Sequence, residues 1–207
     1  MLNFENYYKE AVHRYNLGSL TIFDIDDTLF HTTAKVGVLD KNGNPKAISN
    51  SEFNTYQWQP GETPDFSEFQ NAEKFNRESV PIPSMVNKMK GILGNIHKNP
   101  NSKVIIITAR SDFDNKEMFL DTFRKYGINI DMVYVERAGN IKNPSLNVAE
   151  KKAVIIKKYL NSKQFDIVRL YDDAKSNIET FKELSKQYPE IDFYGYLVDK
   201  DGNAIRT

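Results

Sequence analysis

Leu20-Thr21-Ile22-Phe23-Asp24-Ile25-Asp26-Asp27-Thr28-Leu29-Phe30 is an apolar run that ends in three carboxylates and a threonine. Leu20 to Phe23 is β-branched, aromatic and uninterrupted, the pattern of a strand buried on both faces, so the acids begin where the strand leaves the core. In an open parallel sheet that place is the mouth, the crevice outside the strand C-termini where loops converge side chains from several strands. Asp24 and Asp26 are two residues apart and point the same way if extended geometry persists, while Asp27 points elsewhere. Like carboxylates held close repel one another, and burying them costs several kcal/mol without a partner. A divalent cation is the simplest remedy.

Composition narrows the function classes. The chain has 207 residues, 40% of them apolar and 12% aromatic, enough to bury the core of one medium domain with a small insert. Lys+Arg 28 balances Asp+Glu 28, which gives no support to a broad nucleic-acid groove or a polybasic membrane surface. With no cysteine, disulfides, thiolate metal sites and cysteine nucleophiles are excluded, and only oxygen and imidazole ligands are left. Met1 to Gly18 lacks the apolar core of a signal peptide, and no later run approaches membrane-spanning length. The expectation is a cytoplasmic protein that does not engage a membrane; nothing in the residues speaks to oligomeric state.

Outward from the opening stretch, strands and helices alternate. Phe4, Tyr7, Tyr8, Ala11, Val12 and Tyr15 recur at helical spacing ahead of the first strand. After Phe30, Lys35 to Leu39 and Lys46 to Ile48 flank Asp40-Lys41-Asn42-Gly43-Asn44-Pro45, a hairpin signal. Residues 49–80 scatter aromatics among prolines without a clean period and read as an irregular insert with a short helix near Ser67 to Phe75, either a lid or a small satellite core. Ser84 is placed to cap a helix through about His97. Val104 to Ile107 is a second strand ending at Thr108, followed by a helix near Asn115 to Tyr126 with Leu120 and Phe123 inward. Ile130 to Val135 reads as a third strand. Asn147 and Glu150 form a capping-box pattern opening a helix to about Leu160. Ile167 to Tyr171 is a fourth strand ending at Asp172-Asp173, a helix follows from Ala174 to Tyr188, Phe193 to Val198 is the last strand, and Asp199 to Thr207 is a polar tail. This rhythm predicts an α/β fold, a three-layer Rossmann-like parallel sheet forming a single domain over 1–207.

Three apolar strands thus end in functional residue types, Asp24/Asp26, Thr108 and Asp172/Asp173, and a parallel sheet gathers them in one crevice. A lysine ahead of the fourth strand completes the set. Lys151 and Lys152 lie about 100° apart around a helix, so only one faces the crevice readily. The block hhhhDIDDTLF, with h apolar, together with threonine, lysine and acidic pair in that order, resembles the haloacid dehalogenase (HAD) superfamily, in its phosphatase version D-x-D-x-T. The resemblance covers roughly residues 19–198 outside the insert. It implies a β-hairpin flap and a small cap insert at about 31–82, and it favours Lys152, which precedes Ala153 as in the familiar motif.

The resemblance also implies a chemistry: hydrolysis of a phosphomonoester through an aspartyl-phosphate. Asp24 would be the nucleophile, and Asp26 the acid that protonates the leaving oxygen and then takes a proton from water, with its pKa lifted toward neutrality. Thr108 and Lys152 would bind the phosphoryl oxygens. Mg²⁺ would be held by the Asp24 side chain, the Asp26 backbone carbonyl and Asp172, with Asp173 binding directly or through water. Arg110 and Asp112 are placed either to select substrate or to form a structural ion pair, with the ion pair favoured, and His13, His31 and His97 read as surface or packing residues. The implied substrate is a small phosphorylated metabolite or nucleotide, with a nucleic-acid 3′-phosphate end disfavoured by the neutral charge. A phospho-receiver module and a non-catalytic HAD-like binding protein are the alternatives from another class. A receiver carries its acidic pair on the first strand and its phosphorylated residue on a later one, and here the order differs.

Overall fold

The computed structural model describes residues 17–53 and 56–207, so the helix read over Phe4 to Tyr15, and with it His13, lies outside the described residues. The centre is a six-stranded sheet in the order β11-β10-β9-β1-β7-β8. It is built from β1 (Gly18–Phe23), β7 (Lys103–Thr108), β8 (Tyr134–Arg137), β9 (Phe165–Asp172), β10 (Asp192–Val198) and β11 (Ala204–Arg206). All neighbours pair parallel except β10 and β11. β1 is central, flanked by β9 and β7, which is why its apolar run is uninterrupted.

Alternate residues of the strands feed two cores. Leu20, Ile22, Ile105 and Ile107 meet Ile156 and Leu160 of helix α5 (Val148–Leu160) and Ile178, Phe181 and Leu184 of α6 (Lys175–Ser185). Phe23, Val104 and Ile106 face the other way, against Met85, Met89 and Leu93 of α3 (Pro83–Asn95) and Phe119 and Phe123 of α4 (Lys116–Lys125). The result is helix, sheet, helix, in three layers.

Between β1 and α3 the chain makes a side structure. A short ribbon pairs β2 (Phe30–His31) with β6 (Val80–Pro81), and a three-stranded sheet joins β3 (Val36–Leu39), β4 (Pro45–Ile48) and β5 (Thr63–Asp65). The hairpin β3–β4 turns on Asp40, whose carboxylate accepts from the backbone of Asn42 and Asn44 and from the Asn44 side chain, with Gly43 at φ 81°. The insert also holds α1 (Asn50–Phe53), a 3₁₀ turn at Ser67–Gln70 and α2 (Ala72–Glu78). Its aromatics divide: Phe69 closes a satellite core with Val36, Val38 and Ile48, Phe75 joins the main core, and Trp58 and Phe66 are exposed.

Several boundaries differ from those read in the sequence, each for a local reason. The helix expected near Ser67 to Phe75 splits at Asn71, whose side chain caps α2 through the Lys74 N–H. Ser84 is not a cap: Pro83 opens α3, and the Ser84 hydroxyl donates to the Gly202 carbonyl at 2.7 Å. The innermost residues of α4 are Phe119 and Phe123, with Leu120 only half-buried. Ile130 to Met132 is a 3₁₀ turn, and the third strand begins at Tyr134. The polar tail forms β11, which pairs antiparallel with β10 and closes that edge of the sheet. Its turn repeats the geometry of the first hairpin: the Asp199 carboxylate accepts from Asp201 and Asn203, and Gly202 sits at φ 80°. A Cβ at Gly202 would come within 2.4 Å of Ile82 and Ser84, so only glycine allows this turn to lie on the start of α3.

Candidate active site

The site grows from the register of the sheet. Phe23 pairs with Tyr171, and the Asp24 N–H still donates to the Tyr171 carbonyl at 3.0 Å, so Asp24 leaves β1 beside Asp172 at the end of β9. Beyond Asp24 the extended geometry stops. The N–H groups of Leu29 and Phe30 both return to the Ile25 carbonyl, at 2.9 and 3.0 Å, and Asp27 adopts φ 53°. A non-glycine residue in this region is strained, and such strain is held only where the surroundings fix it. The tight loop sends Asp24 and Asp26 to different cations, which alternation along a strand did not anticipate.

Asp24 meets Lys152. The capping box of Asn147 and Glu150 sets the start of α5, and the buried stripe Ala149, Ala153 and Ile156 carries Lys152 inward, while Lys151 stays half-exposed. The Lys152 ammonium lies 2.9 Å from Asp24 Oδ1 and 2.8 Å from Asp172 Oδ2. Burial would lower its pKa, but the two carboxylates outweigh burial and raise it, so it is a permanent cation. Asp172 is held at its other oxygen by the Ala174 N–H at 3.0 Å and the Asn177 amide at 2.8 Å.

One lysine does not neutralise this corner. Asp24, Asp172 and Asp173 each offer an oxygen, all within 4.8 Å of one another. Burial pushes the Asp24 carboxyl well above its ordinary range; Lys152 offsets this only in part, and Asp172, Asp173 and Asp26 add to the rise. Asp24 Oδ1, though close to Lys152, has no aligned hydrogen-bond donor. Asp173 is pushed up to about 7, chiefly by burial and then by the charge of Asp172, and its side chain accepts a long contact from Thr28 Oγ1 at 3.5 Å. Three carboxylates that are costly to ionise together, one with an undirected oxygen, are a fitting donor set for a hard divalent cation.

Asp26 is in the opposite condition. Arg110 grips it with two hydrogen bonds, Nε to Oδ2 at 2.9 Å and Nη2 to Oδ1 at 2.6 Å, and the Thr32 hydroxyl donates to Oδ1 at 2.5 Å. Burial alone would raise the Asp26 carboxyl, but the Arg110 charge and hydrogen bonds, with Thr32 and Lys152, hold it below the ordinary aspartate value. The expectation of a pKa lifted toward neutrality is therefore reversed. The expected Arg110–Asp112 pair is not formed either: Asp112 lies 3.3 Å from Arg137 instead.

Thr108 ends β7, fully buried, and its oxygen accepts from the Arg110 N–H at 3.1 Å, so its hydroxyl proton is still there to give. His31 lies at the mouth, with Nδ1 3.1 Å from Asp27, and His97 sits in a turn after α3. The structure thus brings Asp24, Lys152, Asp172 and Asp173 together and puts Asp26 beside them in the hands of Arg110. Sequence reasoning singled out Arg110 but paired it with Asp112 rather than Asp26, and it missed Thr32 and Asn177. Arg110 stands two residues after Thr108 at a strand mouth, and Asn177 lies in the first turn of the helix that follows Asp172; those positions were the available signals.

No family model matches the chain, and no curated protein matches it in sequence. Among solved structures it is similar to the HAD domain of effector protein Lem4 from Legionella pneumophila. That similarity has a TM-score of 0.47 and 10% identity, over 86% of this chain and 85% of the other. Among the described residues, no helix is long and apolar enough to cross a membrane.

Proposed function

We propose that this protein is a HAD-type phosphomonoester hydrolase that works through an aspartyl-phosphate on Asp24, with Mg²⁺ as its cation and a small phosphorylated metabolite or nucleotide as its substrate. The observation that carries this reading is the Lys152 ammonium set between Asp24 and Asp172, with Asp173 completing an acidic cluster at the mouth of a parallel sheet. It is joined by the D-x-D-x-T stretch that supplies Asp24.

In this reading the arriving phosphate dianion adds negative charge beside Asp26, which Arg110 otherwise holds ionised, so that Asp26 takes up a proton on substrate binding. The Asp24 oxygen then attacks phosphorus while the bond to the leaving oxygen breaks, and Asp26 gives that oxygen its proton. Water then attacks phosphorus, gives its proton to Asp26, and the bond to Asp24 breaks to release phosphate. Lys152 and Thr108 hold the non-bridging oxygens and spread their charge. Asp24, Asp172 and Asp173, with the Asp26 backbone carbonyl, are the groups that would hold Mg²⁺. When bound, the ion neutralises charge that one lysine cannot.

The test is release of p-nitrophenol from p-nitrophenyl phosphate with Mg²⁺ and with a chelator. Asp24→Asn is expected to cost at least about 10³-fold in kcat. Turnover that survives this change, or that is indifferent to the chelator, would remove Asp24 and the metal from the mechanism.

A further inference from the structure

The feature that this chemistry leaves unexplained is the burial of Arg110. Its side chain is 1% exposed and spans three segments of the chain. It forks onto Asp26 from the β1 loop, its Nη1 donates to the Phe69 carbonyl of the insert at 2.9 Å, and its backbone N–H is fixed on Thr108. The guanidinium also lies over three rings, Phe69, Phe75 and Phe113, with centroids at 4.8, 5.1 and 5.5 Å. Two of those rings belong to the insert. A planar, five-donor group is suited to such a junction, where a lysine would bond only as a point charge.

The insert is itself strapped to the segment that carries Arg110. The Asp114 N–H donates to the Gln70 carbonyl, and the Asp114 carboxylate accepts from the Ala72 N–H, both at 2.9 Å. Further along, the Asn76 amide donates to the Met118 carbonyl and to Thr122. The insert and residues 109–122 are therefore one mechanical piece; it meets the catalytic loop through the Phe30 ring, which packs on Phe75, and through the β2–β6 pairing, and it reaches the Asp26 carboxylate through the Arg110 fork. On Asp26, a carboxylate with about four acceptor positions, three are filled by Arg110 and Thr32, which leaves one direction open.

We propose that Arg110 is the positioning residue for Asp26 and that the insert sets its hold, so that the insert fixes the one direction in which Asp26 can meet a leaving group. This rests on the phosphohydrolase reading above. Positioning differs from structural glue in its kinetics, and the two roles separate there. Positioning bears on transfer to the leaving oxygen, which a basic alkoxide needs and p-nitrophenolate hardly needs. Glue bears on both alike.

The experiment compares β-glycerol phosphate with p-nitrophenyl phosphate, both with Mg²⁺, in wild type, Arg110→Gln, Phe69→Leu, and each of these combined with Asp26→Asn. Arg110→Gln is expected to lower kcat on the alkyl substrate about 100-fold, with KM within about threefold, and to lower kcat on the aryl substrate less than about tenfold. Phe69→Leu, which keeps the backbone carbonyl but removes a ring of the cage, should show the same selectivity at roughly three- to tenfold and is informative even if Arg110→Gln does not fold. In the Asp26→Asn background both effects should vanish, because there is no acid left to position. Equal losses on the two substrates, or losses that persist without Asp26, overturn the inference while leaving the hydrolase reading in place. A wild-type protein that hydrolyses neither substrate, or an Asp24→Asn variant that still does, overturns both.

Discussion

The two halves of the crevice hold the same residue type in opposite states. On the Lys152 side, three carboxylates share one cation, and Asp24 and Asp173 are both pushed up, chiefly by burial, with their acidic neighbours adding to it. On the Arg110 side, one carboxylate has one cation, two aligned hydrogen bonds from it and a hydroxyl besides, and its pKa is depressed. One half is complete as protein, and the other is short of positive charge. Burial is similar on the two sides, so it does not separate them; the ratio of charges does. A site that must receive both a dianionic group and a cation needs the second kind of corner, and a site that must hold one side chain still needs the first.

The largest effect should come from removing either cation. Breaking a buried ion pair by deleting one partner costs about 3–5 kcal/mol, so Lys152→Met and Arg110→Met should each lose stability on that scale in urea titrations. The halves part when Mg²⁺ is added. Compared with wild type at the same Mg²⁺, Lys152→Met, whose three carboxylates are left without their lysine, should recover part of its deficit, whereas Arg110→Met keeps the cluster intact, gains no more from the ion than wild type does, and should keep its whole deficit. Equal recovery in both would erase the distinction.

Next in size is Asp173→Asn. An acid whose folded-state pKa is raised to about 7 costs stability above that pH, and the cost shrinks as pH falls and is gone near its ordinary value of 3.8. The metal-free variant should therefore be more stable than wild type at pH 8, by of order 2 kcal/mol, with the gain fading toward pH 4. Thermal melts across this range check both sign and window. The smallest effect belongs to the complete half: Thr32→Val removes one hydroxyl bond from a carboxylate that keeps Arg110 and should cost about 1–2 kcal/mol, with no dependence on Mg²⁺.

How much of this was legible in the residues follows the same division. β1, β7 and β9 announce themselves because central strands bury both faces, and β7 and β9 end in, and β1 just before, a residue that the crevice uses. The capping box of Asn147 and Glu150 could be read directly, and it fixes the helix that turns Lys152 inward. What could not be read was set by contacts between distant segments. Arg110 finds Asp26 across 84 positions of sequence, and its aromatic cage draws on the insert, where no period guides the eye. The divergence of Asp24 and Asp26 depends on a turn around Ile25, in which Asp27 takes a strained backbone that side-chain alternation does not foretell. β8 and β11 are edge strands, short and mixed in polarity, and were displaced or missed for that reason.

The most direct measurement is the thermal stability of wild type and Asp24→Asn with Mg²⁺, with beryllium fluoride, and with both. If Asp24 accepts a phosphoryl group beside a cation, wild type should be raised by the two together by several degrees more than the sum of each alone, and Asp24→Asn should lose that excess while keeping its fold. Absence of any Mg²⁺ effect on wild type, or the same joint shift in Asp24→Asn, would contradict the assignment of this corner as the place where phosphate is taken up.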